Sequence, residues 1–404
     1  MKRRALFRIF DRYVGIPIVI LLAFFLKKRR RIPIQNIQNV LFIKLAAIGD
    51  AILLIPTLRT LKHKFPEAKI TFICSPINYA ILKKIPYIDE LVSVEIHSFL
   101  KHPMQFFSFI KKLREKKYDV VIDAEQWPRI SVMLFALSRY DYAIGFSTEQ
   151  QYRHFLFNSV ITHTRTRHEL EDFLALLEPL GANITEEDKK LEYFLNDKDF
   201  KFAEDFWFKH NFENRTVICL HPGCGENGLP REWPVQNYIK LGKRLLEYDK
   251  NIIILITGAK FEMERCIQIA EGINSPNVVN TAGMYEIDNV VALVKKVKLI
   301  VCSNTGMLHI ASCVGTKTLG LHGPTNPIKW GSYNKNSVLI QSDKFCSPCL
   351  YIGHDYGCQE PTCMSHISVD DVFIHIRKAI HPELFPVFRI LNNLNNPAEA
   401  SLIS

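Results

Sequence analysis

Residues 39–74 read NVLFIKLAAIGDAILLIPTLRTLKHKFPEAKITFIC, and this stretch decides the fold. Asn39–Leu45 is a short apolar run, as a buried strand should be. Ala51–Lys64 carries apolar residues at helical spacing and stops before Pro66. Lys69–Cys74 (KITFIC) is a second strand-like run. Strand, helix, strand at this spacing is a parallel βαβ unit.

The alternation continues outward. Leu91–Val94 and Val120–Asp123 (VVID) read as strands, with Phe106–Lys117 between them as a helix with a basic outer face. A second set begins after residue 195. Its strands are Thr216–Leu220, Asn251–Thr257, Val278–Asn280, Leu299–Cys302 and Lys317–His322, and its helices Val235–Tyr248, Glu262–Asn274, Ile287–Lys295 and Gly306–Val314. The charged stretch Glu186–Lys201 reads as the joining region. The expectation is an α/β chain of two successive Rossmann-like halves.

The chain has 404 residues, 48% hydrophobic and 23% charged. That composition excludes a disordered, collagen-like or polytopic membrane protein. The formal charge of +10 is local: residues 1–34 hold ten basic residues and one acid, so the body is nearly neutral. A basic face for nucleic acid is therefore excluded.

The basic clusters flank an apolar run, Tyr13–Leu26 (YVGIPIVILLAFFL), shorter than the ~20 residues a straight membrane span needs. Pro17 is expected to break or kink a helix near its start. Five consecutive cations follow the run with no small-residue cleavage site, which argues against a cleaved signal peptide. The reading is a membrane-dipping or interfacial helix, re-entrant at Pro17, with its cations on anionic headgroups and both ends on the cytoplasmic face. A single tilted span with snorkelling cations is the alternative.

Ligands of open parallel sheets bind beyond the carboxyl ends of the strands. Four loops stand there. Lys44–Asp50 holds a cation, Gly49 and a carboxylate that can also serve as a helix cap. His221–Pro234 combines Gly223, Gly225 and Gly228 with Arg231, a pattern suited to an anion. Ser303–His309 places Gly306 at a helix start. His322–Pro327 is the fourth. Neither a G-x-G-x-x-G fingerprint nor a P-loop is present.

Together, VLFIKLAAIGDAILLIPTLRTLKHKFPEAKI, the HPG…REWP loop, SNTGMLHIA and GPTNPIKWG occur in the order seen in glycosyltransferase family 9, which includes the lipopolysaccharide heptosyltransferases, and RHELEDFLALLEPLG resembles its inter-domain region. The resemblance covers roughly residues 38–385. It implies a GT-B fold, two Rossmann-like domains facing across a cleft, here with an added N-terminal membrane-associated helix. The division expected is 1–34 as the membrane segment, 35–190 as the acceptor domain, 191–385 as the nucleotide-sugar domain and 386–404 as a tail.

The resemblance further implies inverting, metal-independent transfer of a heptose or related sugar from a nucleotide donor, ADP-heptose foremost, to a lipid-linked saccharide. That places the enzyme at the cytoplasmic face of the inner membrane. By matching motifs, Asp50 is the catalytic base. Lys44, Cys224, Gly225, Arg231, Glu262, Met284, Asn304, Thr305, Gly306 and His309 contact the donor. Arg231 would stabilise the departing diphosphate, Glu262 the ribose and Met284 the base. The chain departs from the pattern where many members have Asp: here Asn304 and Asn326 stand instead. The loop from Gly223 to Trp233 is also longer than usual. A UDP- or GDP-sugar transferase on another envelope glycan therefore stays open, as does a non-catalytic membrane-bound nucleotide-sugar binder.

Of ten cysteines, six are scattered and read as buried free thiols. Four cluster as Cys346-x2-Cys349-x8-Cys358-x4-Cys363, with His354 and His366 nearby. This is metal-ligand spacing and suits a structural zinc, while free thiols or disulfides are the alternatives. No cofactor is expected in catalysis, because a zinc held by four cysteines has no open position.

Overall fold

The computed structural model describes residues 11–26, 36–45, 47–225, 228–352, 358 and 361–381. Both basic N-terminal clusters, apart from Arg12, fall outside these residues, as do His354 and the 386–404 tail.

Two six-stranded sheets form the frame, and every strand pairing is parallel. The first holds β1 (Asn39–Ile43), β2 (Lys69–Cys74), β3 (Glu90–Ser93), β4 (Lys117–Asp123), β5 (Arg139–Ser147) and β6 (Ser159–Thr162) in the order β3-β2-β1-β4-β5-β6. The second holds β7 (Thr216–His221), β8 (Ile252–Ile256), β9 (Val278–Asn280), β10 (Leu299–Ser303), β11 (Thr318–His322) and β12 (Val338–Gln341) in the order β12-β11-β10-β7-β8-β9. Each half thus repeats one Rossmann order, and its strand sequence reverses once, between β1 and β4 and between β7 and β10. Ligands of such sheets gather at that reversal.

The apolar runs read from the sequence occur as strands, and Val235–Tyr248 is a helix over that whole span. Two expectations need correction. Ala51–Lys64 is two helices, Ile48–Leu53 and Ile55–Lys64, because Pro56 has no N–H to continue the first and sits well in the opening turn of the second. The helix expected to reach Lys117 is Pro103–Leu113, and Lys117 instead opens β4. Pro17 lies in the opening turn of the helix Gly15–Leu26, and helical residues 11–13 precede it across an interruption at Val14, so the expected break near the start is present. Pro17 is the third residue, where a backbone N–H has no intrahelical partner to lose. β5, β6 and β12 were not anticipated; β6 and β12 are short, half-buried edge strands.

One continuous apolar core joins the halves. It runs from Val40, Phe42 and Phe72 through Ile52 and Leu53 to Met307, Leu308 and Ile310. The Ile48–Leu53 and Gly306–Cys313 helices pack against each other across the boundary. Each fully buried side chain of this kind is worth ~1.5–3 kcal/mol, so the loops at this seam stand on a firm base.

The Gly15–Leu26 helix lies on the outer face of the first sheet's half. Val19 is buried there, with Leu22 and Ala23 partly so. Its start is fastened by Asp11, whose carboxylate pairs with the Arg129 guanidinium and accepts the Arg129 N–H at 2.9 Å, all buried. Tyr13, Ile20, Leu21, Phe24 and Phe25 face outward. Among the described residues, no helix is long and apolar enough to cross a membrane.

Candidate active site

The loops after β1 and β4 meet at the first reversal. Lys44 is 1% exposed, and its Nζ lies 2.8 Å from Asp50 Oδ2, 3.2 Å from Glu125 Oε2 and 2.6 Å from Gln126 Oε1. Gln126 Nε2 donates to Asp50 Oδ2 at 2.9 Å and to Glu169 Oε1 at 2.7 Å. Both described bonds of Asp50 therefore fall on Oδ2. Its side chain is 13% exposed, so a substrate hydroxyl can reach it while Lys44 stays enclosed.

Asp50 is not the helix cap. Ala47 holds that place, with φ 68° and ψ 116°, and no side chain caps it. A non-glycine residue in the left-handed region costs ~1–3 kcal/mol and commonly marks a functional turn.

Electrostatics suit Asp50 to proton abstraction. Burial pushes its carboxyl above the ordinary aspartate value, Lys44 pulls it back and Glu169 pushes it up again. A carboxylate so raised is a better base near neutrality. Burial works against the Lys44 charge, but Asp50 and Glu125 outweigh it and hold the ammonium protonated.

Behind Gln126 the network crosses to the second half. Glu169 faces His163 Nε2 at 2.9 Å and Lys329 Nζ at 2.6 Å, and Lys329 also pairs with Asp172. Burial would raise the Glu169 carboxyl, but His163 and Lys329 hold it well below the usual range. His163, Glu169 and Asp172 converge as metal ligands do. Here the Lys329 ammonium supplies the countercharge. His168 accepts the Leu170 N–H on Nδ1 and faces the Gly331 carbonyl through Nε2, so Nε2 carries the proton. Tyr351 closes the chain, its hydroxyl 2.7 Å from His163 Nδ1.

The Ser303–His309 segment abuts this cluster. A Cβ at Gly49 would lie 2.8 Å from His309 Cδ2, and one at Gly306 would lie 3.0 Å from Ile48 Cγ2. Only glycines allow the two turns to approach this closely. His309 is buried, its Nδ1 lacks a partner among the described residues, and burial with nearby like charges drives its pKa down to about 3. The ring is neutral at any working pH. His322 is likewise driven to about 3 by burial. Asn304 is also buried, and Thr305 precedes the helix with extended backbone.

Arg231 Nη2 donates to the Cys224 carbonyl at 3.4 Å, while its buried Nε has no partner among the described residues. The Cys224 thiol is pushed by burial to about 12 and stays neutral. Glu262 spends both oxygens on backbone: Oε1 accepts from Gly225 N at 2.9 Å and Oε2 from Ala259 N at 2.8 Å. It braces the glycine loop, and the Gly225 N–H is already committed. Met284 is exposed beside Gly283, not packed in the core. Asn326 caps its own short helix by accepting the Ile328 N–H.

The structure thus brings Lys44, Asp50, Gly306 and His309 together, with Arg231 on the His309 side. Sequence reasoning missed Glu125, Gln126, His163, Glu169, Lys329 and Tyr351. Glu125 and Gln126 directly follow β4 in VIDAEQWPR, where the strand-end rule applies equally.

Known proteins resemble this chain in sequence and in fold. The profile of glycosyltransferase family 9 (heptosyltransferase) matches residues 106–359. The chain is 22% identical over 348 residues to the lipopolysaccharide core heptosyltransferase OpsX of Haemophilus influenzae, covering 84% of this chain and 96% of that protein. Among solved structures, a family 9 glycosyl transferase from Veillonella parvula superposes with a TM-score of 0.68 at 20% identity, covering 86% of this chain and 97% of that one. E. coli heptosyltransferase WaaC with ADP superposes with a TM-score of 0.64 at 20% identity, covering 85% of this chain and all of that one. Those likenesses give the two sheets a GT-B arrangement. With the profile spanning more than half its length, the chain belongs to glycosyltransferase family 9 and is a glycosyltransferase.

Proposed function

We propose that this glycosyltransferase moves a heptose or related sugar from a nucleotide donor, ADP-heptose foremost, onto a lipid-linked saccharide of the lipopolysaccharide or cell-envelope type, inverting the anomeric centre and using no metal in the chemical step. The observation that carries the reading is Asp50, a partly accessible carboxylate fixed by Lys44 and Gln126 one residue from the glycine contact with His309. Asp50 takes the proton of the acceptor hydroxyl as that oxygen attacks the anomeric carbon. The diphosphate leaves from the opposite face. Arg231 supplies charge to the leaving group, and the open Nδ1 of His309 offers a neutral polar contact. Lys44 keeps Asp50 ionised without competing for substrate.

The ADP donor is supported by the structures of E. coli heptosyltransferase WaaC with ADP and with ADP-2-deoxy-2-fluoro heptose. Asn304, uncharged and buried in the donor segment, favours a second reading with a UDP- or GDP-sugar. A membrane surface is supported by the outward apolar face of the Gly15–Leu26 helix, followed in sequence by five cations. Exposed Met104 and Phe107 lie on the Pro103–Leu113 helix, which shares the same core cluster. Flotation with anionic but not neutral vesicles checks this; equal flotation with both would remove the electrostatic part.

The deciding experiment pairs donor binding with turnover. A ligand at 100 times its Kd adds about 2.7 kcal/mol of stability, visible as a rise in Tm. ADP and ADP-heptose should raise Tm in the wild type and in Asp50→Asn alike, while the variant loses ~100-fold or more in kcat. A shift with UDP or GDP compounds alone would move the enzyme to another donor. Undiminished turnover in Asp50→Asn would remove Asp50 as the base.

A further inference from the structure

After β11 the segment Gly323–Gly331 (GPTNPIKWG) belongs to the second half, yet it carries its cation into the first. Asn326 caps the short Pro327–Trp330 helix, and Lys329 leaves that helix with 1% of its side chain exposed. Its Nζ lies 2.6 Å from Glu169 Oε2 and also pairs with Asp172. The delivery is firm. A Cβ at Gly331 would strike Leu339 and the Pro327 carbonyl, so only glycine fits behind the lysine. The Gly331 carbonyl accepts from His168 Nε2 at 3.0 Å, and the Tyr333 hydroxyl donates to Glu171 at 2.9 Å. Three alternate residues of the second half thus engage Glu169, His168 and Glu171 of the first. Trp330 Nε1 donates to the Tyr351 carbonyl, tying the segment to the excursion that carries the four clustered cysteines, whose sulfurs, among the described residues, do not converge as metal ligands.

What Lys329 grips is a bridge. Glu169 is fully buried and divides its oxygens: Oε2 takes the Lys329 ammonium, and Oε1 accepts from Gln126 Nε2 at 2.7 Å. Gln126 is buried too. Its Nε2 also donates to Asp50 Oδ2 at 2.9 Å, and its Oε1 accepts from Lys44 Nζ at 2.6 Å. Turned over, this amide would set its NH2 against an ammonium and its oxygen against two carboxylates, so it has one working orientation. A carboxylate is rigid, and the hold on one oxygen of Glu169 places the other for Gln126. Within the first half, Glu169 and Asp172 face only His163 and the half-buried Arg167 among the described residues. A buried carboxylate stripped of its cation is strongly disfavoured, so the second half supplies a charge that the first half needs.

With Asp50 as the base, we propose that Lys329 is its positioning residue from the other half: the ammonium fixes Glu169, Glu169 fixes Gln126, and Gln126 fixes Asp50, so that the base is fully assembled only where the two halves are docked. Lys329 touches no substrate in this role. The half that carries the donor provides the last support of the base in the half that carries the acceptor.

The test is amide hydrogen exchange of the full chain, read by mass spectrometry without substrate. In Lys329→Met, residues 47–54 and 123–131 should exchange ~10-fold faster than in the wild type, with residues 252–256 unchanged. Lys329→Arg keeps a cation for the two carboxylates and should keep the wild-type protection. A change confined to residues 163–175, or an equal change throughout the chain, would overturn the coupling. Should Lys329→Met fail to fold, Glu169→Gln answers alone. Its amide offers one acceptor atom where the carboxylate has two, so it cannot hold both Lys329 and Gln126, and the same two stretches should again exchange faster.

Turnover separates the positioning role from the reading of Asp50 on which it rests. With ADP-heptose and truncated lipopolysaccharide, Lys329→Met should lose ~10- to 100-fold in kcat at unchanged donor KM, and Lys329→Arg should recover it. Full kcat in Lys329→Met, beside a wild type that needs Asp50, would overturn the positioning role alone. Undiminished turnover in Asp50→Asn would remove the base instead, while the exchange result still decides whether Lys329 holds the Asp50 turn.

Discussion

The two halves repeat one strand order, yet treat their reversal points in opposite ways. At the first, charge is matched by charge: Lys44 with Asp50 and Glu125, Arg153 with Asp123, Lys329 with Glu169 and Asp172. At the second, imidazoles are neutral, and polar atoms of His309, His322 and Arg231 lie buried without partners among the described residues. Leaving such an atom unpaired costs ~1–3 kcal/mol, a cost that a bound ligand recovers. A base must be held in one protonation state and one geometry, whereas a donor site must keep its hydrogen-bonding valences open. On the proposed function, the difference between the halves is that difference in task.

Breaking the matched side should have the largest effect. Lys44→Met leaves Asp50 and Glu125 buried without their cation and should cost ~3–5 kcal/mol in urea unfolding. In whatever folds, the acid limb of kcat/KM should move to higher pH, because the lysine charge holds the Asp50 carboxyl down against burial. An unmoved limb would mean that Asp50 is not the titrating base. On the open side, Arg231→Ala should lower kcat/KM ~100- to 1000-fold and abolish the donor's Tm shift, while leaving the position of that acid limb alone. If the limb moved instead, the division of labour between the halves would fail.

The contact between the halves comes next. Gly49→Ala drives a methyl into His309, and overpacking of this kind costs ~1–3 kcal/mol, read by thermal unfolding together with a loss of kcat/KM. Unchanged kinetics would show that the two turns need not touch. Tyr351→Phe removes only the bonds to His163, for ~0.5–1.5 kcal/mol by urea unfolding. An unaltered midpoint would show that the crossing contact is idle.

Much of this was legible in the sequence because it is local. Asn39–Leu45, Lys69–Cys74 and Thr216–Leu220 announce strands by composition, and the strand-end rule leads from them to Lys44, Asp50, Arg231 and the Asn304–His309 turn. Glu125 and Gln126 obey the same rule, but no glycine marks their loop. His163, Lys329 and Tyr351 could not be read, because each gains meaning only through a partner brought near by folding; Tyr351 and His163 are 188 residues apart. Pro17 was legible because its effect is local: the helical stretch is interrupted at Val14 and restarts with the proline in its first turn.

The buried pair of Asp11 and Arg129 sets how the N-terminal helix can behave. A greasy segment on a loose linker is a leash, and its enzyme samples every height and tilt above a bilayer. This one is bolted just ahead of its first turn to the body of the first half. On the membrane reading it acts as a keel: the cleft is carried at one fixed altitude and bearing. The enzyme would then gauge its acceptor by how far the sugar chain stands off the lipid, and glycans too short or too long would miss Asp50 whatever their chemistry.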